Sequence, residues 1–269
     1  MRKIVEKYVE LPKSIRKPMW RFWHWLIRKM DVSGSTTFLN YGYSGENGEF
    51  DHLTLKGEHE YHRYAVQLYC HATRNQVFSD SNILEVGCGR GGGAAFLAET
   101  FKPASYIGLD LNSGTTAFCN KRHNVAGLGF ITGDAQDLPF ENEKFDGVVN
   151  VESARCYPDM VQFFKEVFRV LKKNGKFHFA DMIKPADLET IESNLQDVGF
   201  KILDKKDIRT NVVSALLKDS ANRKAEIDKN TPGFLREAFY EFAGVEHSNR
   251  FKIFKTGEMG YWSFTLAKI

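Results

Sequence analysis

The chain has 269 residues, 42% of them hydrophobic, with 37 basic against 34 acidic side chains; this is enough apolar material for one α/β domain with a cap. No stretch approaches 18 uninterrupted apolar residues, so no membrane span is expected, and the N-terminus lacks the apolar core of a cleavable signal peptide. The four cysteines (Cys70, Cys88, Cys119, Cys156) form no C-x-x-C pair, which argues against a zinc site or a disulfide framework and for reduced thiols in a cytoplasmic protein.

Charge is distributed unevenly. Residues 1–30 carry nine Lys/Arg against two Glu, leaving the rest of the chain at −4, and they hold Trp20, Trp23 and Trp25 of the four tryptophans. Basic residues interleaved with Trp and Phe suit a helix lying on a lipid surface. The same aromatics would serve equally as the buried stripe of a helix packed on the domain. Because the basic character is confined to one end, nucleic acid is not an expected partner. This extension, residues 1–35, ends at Asp31-Val32-Ser33-Gly34-Ser35. Residues 36–79 read as a cap: Phe38 to Tyr43, a Gly-rich turn, then a helix from about Gly57 to Val77.

The core, residues 80–183, opens with Ile83-Leu84-Glu85-Val86-Gly87-Cys88-Gly89-Arg90-Gly91. A short apolar strand breaks into glycines spaced two apart, which let the backbone bend sharply and approach a ligand. A helix from Gly93 to Thr100 follows, so its N-terminal amides point at whatever lies over the loop. The glycines alone also satisfy the dinucleotide fingerprint G-x-G-x-x-G. A second strand, Ser105 to Leu109, ends at Asp110, where a carboxylate can accept both ribose hydroxyls. A third strand runs into Gly133-Asp134-Ala135, and a fourth, Phe145 to Asn150, follows a Leu138-Pro139-Phe140 loop. Glu85, Asp110, Asp134 and Asn150 are thereby expected along the carboxyl edge of the strands, where open α/β sheets bind ligands. A helix near Asp159–Lys173 covers the sheet with Met160, Phe164, Val167, Phe168 and Leu171 at helical spacing. Residues 184–269 are expected to form a helix, a strand near Lys201–Leu203, a helical insertion from Ile208 to about Phe242, and closing strands ending in Tyr261–Ala267.

Taken together, ILEVGCGRGGG, YIGLDLN, GDAQDLPF, FDGVVNVES and FFKEVFRVLKKNGKFHFADM, in this order, resemble a class I S-adenosylmethionine-dependent methyltransferase. The closer likeness, carried by KRH, the VES-x-x-CYPD segment and EFAGVE, is to the small-molecule branch that includes sterol methyltransferases and mycobacterial phthiotriolone-type lipid O-methyltransferases. The resemblance implies a Rossmann-like, seven-stranded, mostly parallel sheet with helices on both faces, an antiparallel final strand, and S-adenosylmethionine as cofactor. It sets the main chain of Gly87, Cys88 and Gly89 against the methionine moiety, Asp110 on the ribose, and Leu111 beside adenine. Asp134 and Ala135 go to the adenine edge, Asn150 to the methionine end, and Glu85 to ordering the loop. In related enzymes the NYGY segment closes over the cofactor, which implies a cofactor contact for Tyr41 and a substrate-side place for Tyr43, unless both are core aromatics.

The chemistry is then in-line methyl displacement, for which the protein chiefly holds donor and acceptor in a dry pocket. An alcohol acceptor also needs a base. Glu152 and Asp181, at the ends of the fourth and fifth strands, and His71 on the cap helix are the candidates. His178 falls within a strand and His123 on an outer surface. Arg155 stands where some lipid and natural-product O-methyltransferases carry His; a guanidinium is no base, but with Tyr157 it suits a substrate anion. The aromatic residues of the insertion, where Phe234, Phe239, Tyr240 and Phe242 are expected to cap an apolar pocket, and the extension together favour a lipophilic acceptor such as a polyketide, isoprenoid or sterol-like molecule, methylated on oxygen before carbon or nitrogen. A nicotinamide-dependent dehydrogenase would also use the glycines and Asp110, but leaves GDAQDLPF and FDGVVN unexplained. A non-catalytic S-adenosylmethionine-binding subunit would retain the same loop. No metal is expected, and the oligomeric state is open.

Overall fold

The structure, a computed structural model, describes residues 36–50, 52–74 and 78–269. The basic aromatic extension, residues 1–35, and the end of the anticipated cap helix at Val77 lie outside the described residues. Two short helices, α1 (Gly57–Tyr61) and α2 (Arg63–Ala72), occupy the cap. They replace the single helix expected there, because His62 leaves the helical region at φ −100°, ψ 29°.

The apolar runs of the core are strands, and all but the third, which loops directly into the fourth, lead into a covering helix. In chain order these are β1 (Asn82–Val86), α3 (Gly92–Phe101), β2 (Ser105–Asp110), α4 (Ser113–Arg122), β3 (Leu128–Thr132), β4 (Phe145–Val151), α5 (Met160–Val170) and β5 (Leu171–Ile183). Then come α6 (Leu188–Val198), β6 (Phe200–Asp207), α7 (Arg209–Asn230), α8 (Arg236–Ala243), α9 (Asn249–Thr256) and β7 (Gly260–Lys268). The strands form one seven-stranded sheet in the order β3-β2-β1-β4-β5-β7-β6, with β7 antiparallel to both neighbours. That is the architecture the family resemblance implied. The insertion differs in detail, since α9 is a separate helix beyond the expected stretch.

Local chemistry sets several boundaries. Asp159 caps α5 by accepting from Gln162 N–H at 3.0 Å, the usual role of a short acidic side chain before a first turn. The helix stops at Val170 rather than Lys173. Leu171 is fully buried in extended conformation and already pairs with Phe145 of β4. Side chains of a strand alternate between faces, so β1 sends Leu84 and Val86 to one core layer and Ile83 to the other. One layer stacks α5 on the sheet through Phe163, Phe164, Phe177, Phe179 and Phe264, with Phe179 and Phe264 rings 5.8 Å apart. Each such buried ring contributes roughly 1.5–3 kcal/mol. The opposite layer packs α2, α3 and α9 against the sheet. Glu85 points into this second layer, and that decides its role. Among the described residues no helix is long and apolar enough to cross a membrane.

Candidate active site

A cleft lies at the carboxyl ends of β1, β2 and β4. The glycine loop forms its floor. Gly87 and Cys88 N–H donate to Leu109 O at 2.7 and 3.1 Å, folding the loop back over the end of β2. Asp110 then braces it, its Oδ2 accepting from Gly89 N–H at 3.1 Å and its Oδ1 from Asn112 N–H at 2.9 Å. A carboxylate has about four acceptor sites, so the two used here leave capacity for a diol. Burial pushes the Asp110 carboxyl up to about 6, against the pull of these two amides. A Cβ built on Gly89 meets nothing nearer than Leu39 Cδ1 at 3.9 Å, so this part of the loop faces open cleft. Leu111, Asp134 and Ala135 continue the wall, and Asp134 Oδ1 accepts from Gln136 N–H at 3.0 Å. These are the features a ribose, an adenine edge and a charged amino-acid tail require, and they fit S-adenosylmethionine.

Gly87 has a second reason to be glycine. At φ +74° its missing Cβ would lie 2.2 Å from Ser153 Oγ and 2.6 Å from Tyr157 Oη. Gly87→Ala is therefore expected to destabilise the fold by at least about 2 kcal/mol through left-handed strain and overpacking, measured as a lowered denaturation midpoint. A midpoint within error of the wild type would contradict this packing.

Glu85 lies beneath the cleft rather than in its wall, 1% exposed, accepting from Tyr69 and Tyr106 hydroxyls at 2.8 Å each. Strand alternation puts it there, and only Tyr69 of this trio lines the cleft. Burial raises the Glu85 carboxyl to about 7, although both tyrosines act to lower it. A carboxyl raised on folding makes the native state bind more protons than the unfolded chain. Its contribution to stability is thus complete below pH 4.5 and declines as pH rises toward 7. The Glu85→Gln protein is expected to lack this decline and to melt higher than wild type at pH 8. A constant difference between the two melting curves from pH 4.5 to 8 would refute it.

The other end of the cleft is built on Glu152, which sits in left-handed conformation at φ +54° just past β4. Its Oε1 accepts from Tyr41 N–H at 2.7 Å and from Tyr261 Oη–H at 2.8 Å. Its Oε2 is buried without a hydrogen-bond partner among the described residues. The Arg155 guanidinium lies beside it, Nη2 to Oε2 being 3.8 Å. Burial raises the Glu152 carboxyl, opposed by Arg155, the Tyr41 amide and the Tyr261 hydroxyl, with Asp181 adding to the rise. Arg155 is fixed by Asp181, whose Oδ1 accepts from Nη1 at 2.7 Å and whose Oδ2 accepts from the Arg155 amide at 3.1 Å. Nη1 also donates to Glu152 O at 2.6 Å.

The structure brings together in the cleft wall Gly87, Cys88, Gly89, Asp110, Leu111, Asp134, Ala135, Glu152, Arg155 and Tyr157. Other expectations need correcting. Asp181 is 1% exposed and lies under Arg155, outside the lining, so it orients the guanidinium instead of meeting substrate. His71 is remote: it stacks on Tyr43 at 4.3 Å, faces Glu49 and Arg74, and is pulled down to about 3 by burial first and by Arg74 next. Tyr43 gives its hydroxyl to Glu49 at 2.7 Å and does not reach the cleft. The Tyr41 hydroxyl donates to Phe242 O at 3.1 Å, leaving only its main chain for the site. Asn150 is fully buried behind the wall, donating to Val86 O at 2.9 Å and to Ser153 Oγ at 2.7 Å. His123, expected at the surface, is half-buried with Nε2 2.8 Å from Arg90 O.

The pattern in the sequence missed Tyr69, Ser153, Tyr261 and Leu39, whereas Phe242, expected to cap an apolar pocket, does line the cleft. Leu39 belongs to the strap Thr37–Asn40, which crosses the start of α3 where Gly92 N–H donates to Thr37 O at 3.2 Å. Glu58 holds the strap, accepting from Thr37 Oγ1 at 2.5 Å and pairing with Arg122 of α4.

An open sheet with a reversed seventh strand, a glycine loop and the Asp110 carboxylate beside a buried acid is the arrangement of a nucleoside-cofactor enzyme. Residues 84–179 match the family model described as a methyltransferase domain. The chain is 37% identical over 256 residues, covering 95% of it and 94% of the relative, to the phthiotriol/phenolphthiotriol dimycocerosates methyltransferase of Mycobacterium tuberculosis. It is 40% identical over 230 residues to the fatty-acid O-methyltransferase of Mycolicibacterium smegmatis, covering 85% of this chain and 81% of that one. The fold is shared with the cyclopropane synthase MmaA2 from Mycobacterium tuberculosis at a TM-score of 0.68 and 16% identity, over 89% of this chain and 95% of that one. The chain belongs to the S-adenosylmethionine-dependent methyltransferases.

Proposed function

We propose that this enzyme methylates an oxygen atom of a lipophilic acceptor, with Glu152 as the proton acceptor and Arg155 steadying the oxygen. The observation that carries this reading is the buried Glu152 carboxylate in the cleft wall with its Oε2 lacking a hydrogen-bond partner. S-adenosylmethionine, when bound, supplies a methyl group on a positively charged sulfur that leaves as a neutral thioether. Glu152 Oε2 takes the proton of an acceptor hydroxyl, and the raised carboxyl makes it a stronger base than an ordinary glutamate. Arg155 Nη2, held in place from behind by Asp181, faces the negative charge that develops on that oxygen. Tyr41 and Tyr261 fix the other carboxylate oxygen, so the base is oriented before substrate arrives. The names of the relatives, one a fatty-acid O-methyltransferase, support oxygen and a lipid-like acceptor.

The test is incubation with isotopically labelled methyl donor and three long-chain acceptors: a carboxylic acid, a secondary alcohol and a phenol. Mass spectrometry is expected to find the label as O-methyl. Label on carbon or nitrogen, or none despite bound donor, would overturn the reading. The basic aromatic stretch of residues 1–30 supports placing the enzyme at a membrane surface in the cytoplasm. Replacing Trp20, Trp23 and Trp25 by Ala in the full chain is expected to abolish co-sedimentation with anionic liposomes, and equal pelleting would remove the membrane role.

A further inference from the structure

Beside the cofactor cleft lies a second, half-open cavity between α1 and α2 of the cap and α7 and α8 of the insertion. Phe38, Leu39, Ala65, Ile227, Phe239 and Phe242 supply its apolar wall. Two of the polar groups at its margin, Arg223 and Asp219, engage each other. Arg223 pairs with Asp219 at 2.9 Å and also donates to Ala243 O, Asn40 O and Tyr41 O between 3.1 and 3.2 Å. One side chain thus ties α7 to α8 and to the strap, beside the apolar wall.

Four residues, Phe38, Leu39, Asn40 and Phe242, line both this cavity and the cofactor cleft. The partition between the reacting end and the apolar chamber is therefore a wall of single side chains. We propose that this second cavity houses the hydrocarbon chain of the acceptor, which passes Leu39 and Phe242 to present its oxygen at Glu152, and that Ile227 and Phe239 set the chain length accepted. This rests on the reading of the enzyme as an oxygen methyltransferase for a lipophilic acceptor. It goes further by naming the acceptor as a single linear alkyl chain with one reacting oxygen at its end. Continuity with the cofactor cleft argues for that occupant: Phe38, Leu39, Asn40 and Phe242 border both spaces, so a chain anchored at Glu152 has this chamber directly beside it.

The experiment uses the full chain, a series of straight-chain acceptors from six to eighteen carbons, and an anthroyloxy-labelled stearate as a binding probe. In the wild type kcat/KM is expected to rise with chain length. Ile227→Trp, which fills the chamber, should lower the ratio of kcat/KM for the sixteen-carbon over the six-carbon acceptor at least about tenfold, the effect of excluding about two methylenes. It should weaken the stearate probe by a similar factor. Phe239→Ala, which enlarges the chamber, should move the optimum to longer chains. Unchanged S-adenosylmethionine affinity by calorimetry reports that both variants are folded. Wild-type chain-length dependence in both, or a probe indifferent to Ile227→Trp, overturns the proposal. Probe binding that Ile227→Trp weakens, with no acceptor methylated on oxygen, would leave the chamber standing and sink the oxygen-transfer reading instead.

Discussion

Asp110→Ala is expected to raise the dissociation constant for S-adenosylmethionine by about 10²–10⁴-fold, with the protein still folded. A hydrogen bond to a charged partner contributes roughly 1.5–3 kcal/mol, and the carboxylate at the end of β2 offers acceptors to two ribose hydroxyls. The loss reaches the loop as well, because Gly89 and Asn112 N–H both rest on this side chain. Asp110→Asn keeps one carbonyl oxygen and should weaken donor binding by only about tenfold. Affinity in the wild type should also fall as pH drops below about 6, where the buried carboxyl protonates and loses acceptor capacity. Calorimetry of folded material from pH 5 to 8 measures all three. A dissociation constant for Asp110→Ala within tenfold of the wild type would mean that the ribose is held elsewhere.

Glu152→Gln is expected to leave donor affinity intact and to lower kcat for a hydroxyl acceptor by about 10²–10⁴-fold, the span of general-base contributions. The amide still accepts from the Tyr41 N–H and Tyr261 hydroxyl, so the backbone at φ +54° has no new reason to move. What it cannot do is take a proton. The wild-type rate should fall on the acid side through a pKa above the ordinary carboxylate range, since burial outweighs Arg155 and the two donors. That limb should vanish in the variant. A carboxylic acid acceptor carries no proton at neutral pH and needs no base, so its methylation should survive the substitution. Undiminished turnover of a hydroxyl acceptor would remove Glu152 from the chemistry.

The cofactor half of the site was readable because its determinants are local. Gly87, Gly89 and Asp110 act within short loops at strand ends, and spacing along the chain nearly equals spacing in space. Glu85 shows where that reasoning stops. One register step along β1 turns a side chain from the edge to the face, so the residue expected at the rim lies under it, between Tyr69 and Tyr106. Asn150 and Asp181 share this fate, each supporting a neighbour that does the touching. Tyr41 matters through its amide and not its ring, which no side-chain reasoning would find. Tyr69 and Tyr261 reach the site from α2 and β7, where only the folded sheet brings them near, whereas Phe242 of α8 was legible as one of the aromatics of the insertion. His71 is a further case: a histidine on an apolar helix face, packed on Tyr43 at 4.3 Å.

The order in which these parts leave the ribosome has a consequence. Every group of the glycine loop and the nucleoside wall has been synthesised by residue 157, whereas β7, at Gly260–Lys268, must slot between β5 and β6. Tyr261, whose hydroxyl clamps Glu152, arrives with that strand. A half-made polypeptide thus carries the sequence of its glycine loop long before Glu152 has its full set of partners, and the finished cleft waits on the insertion of a single late strand.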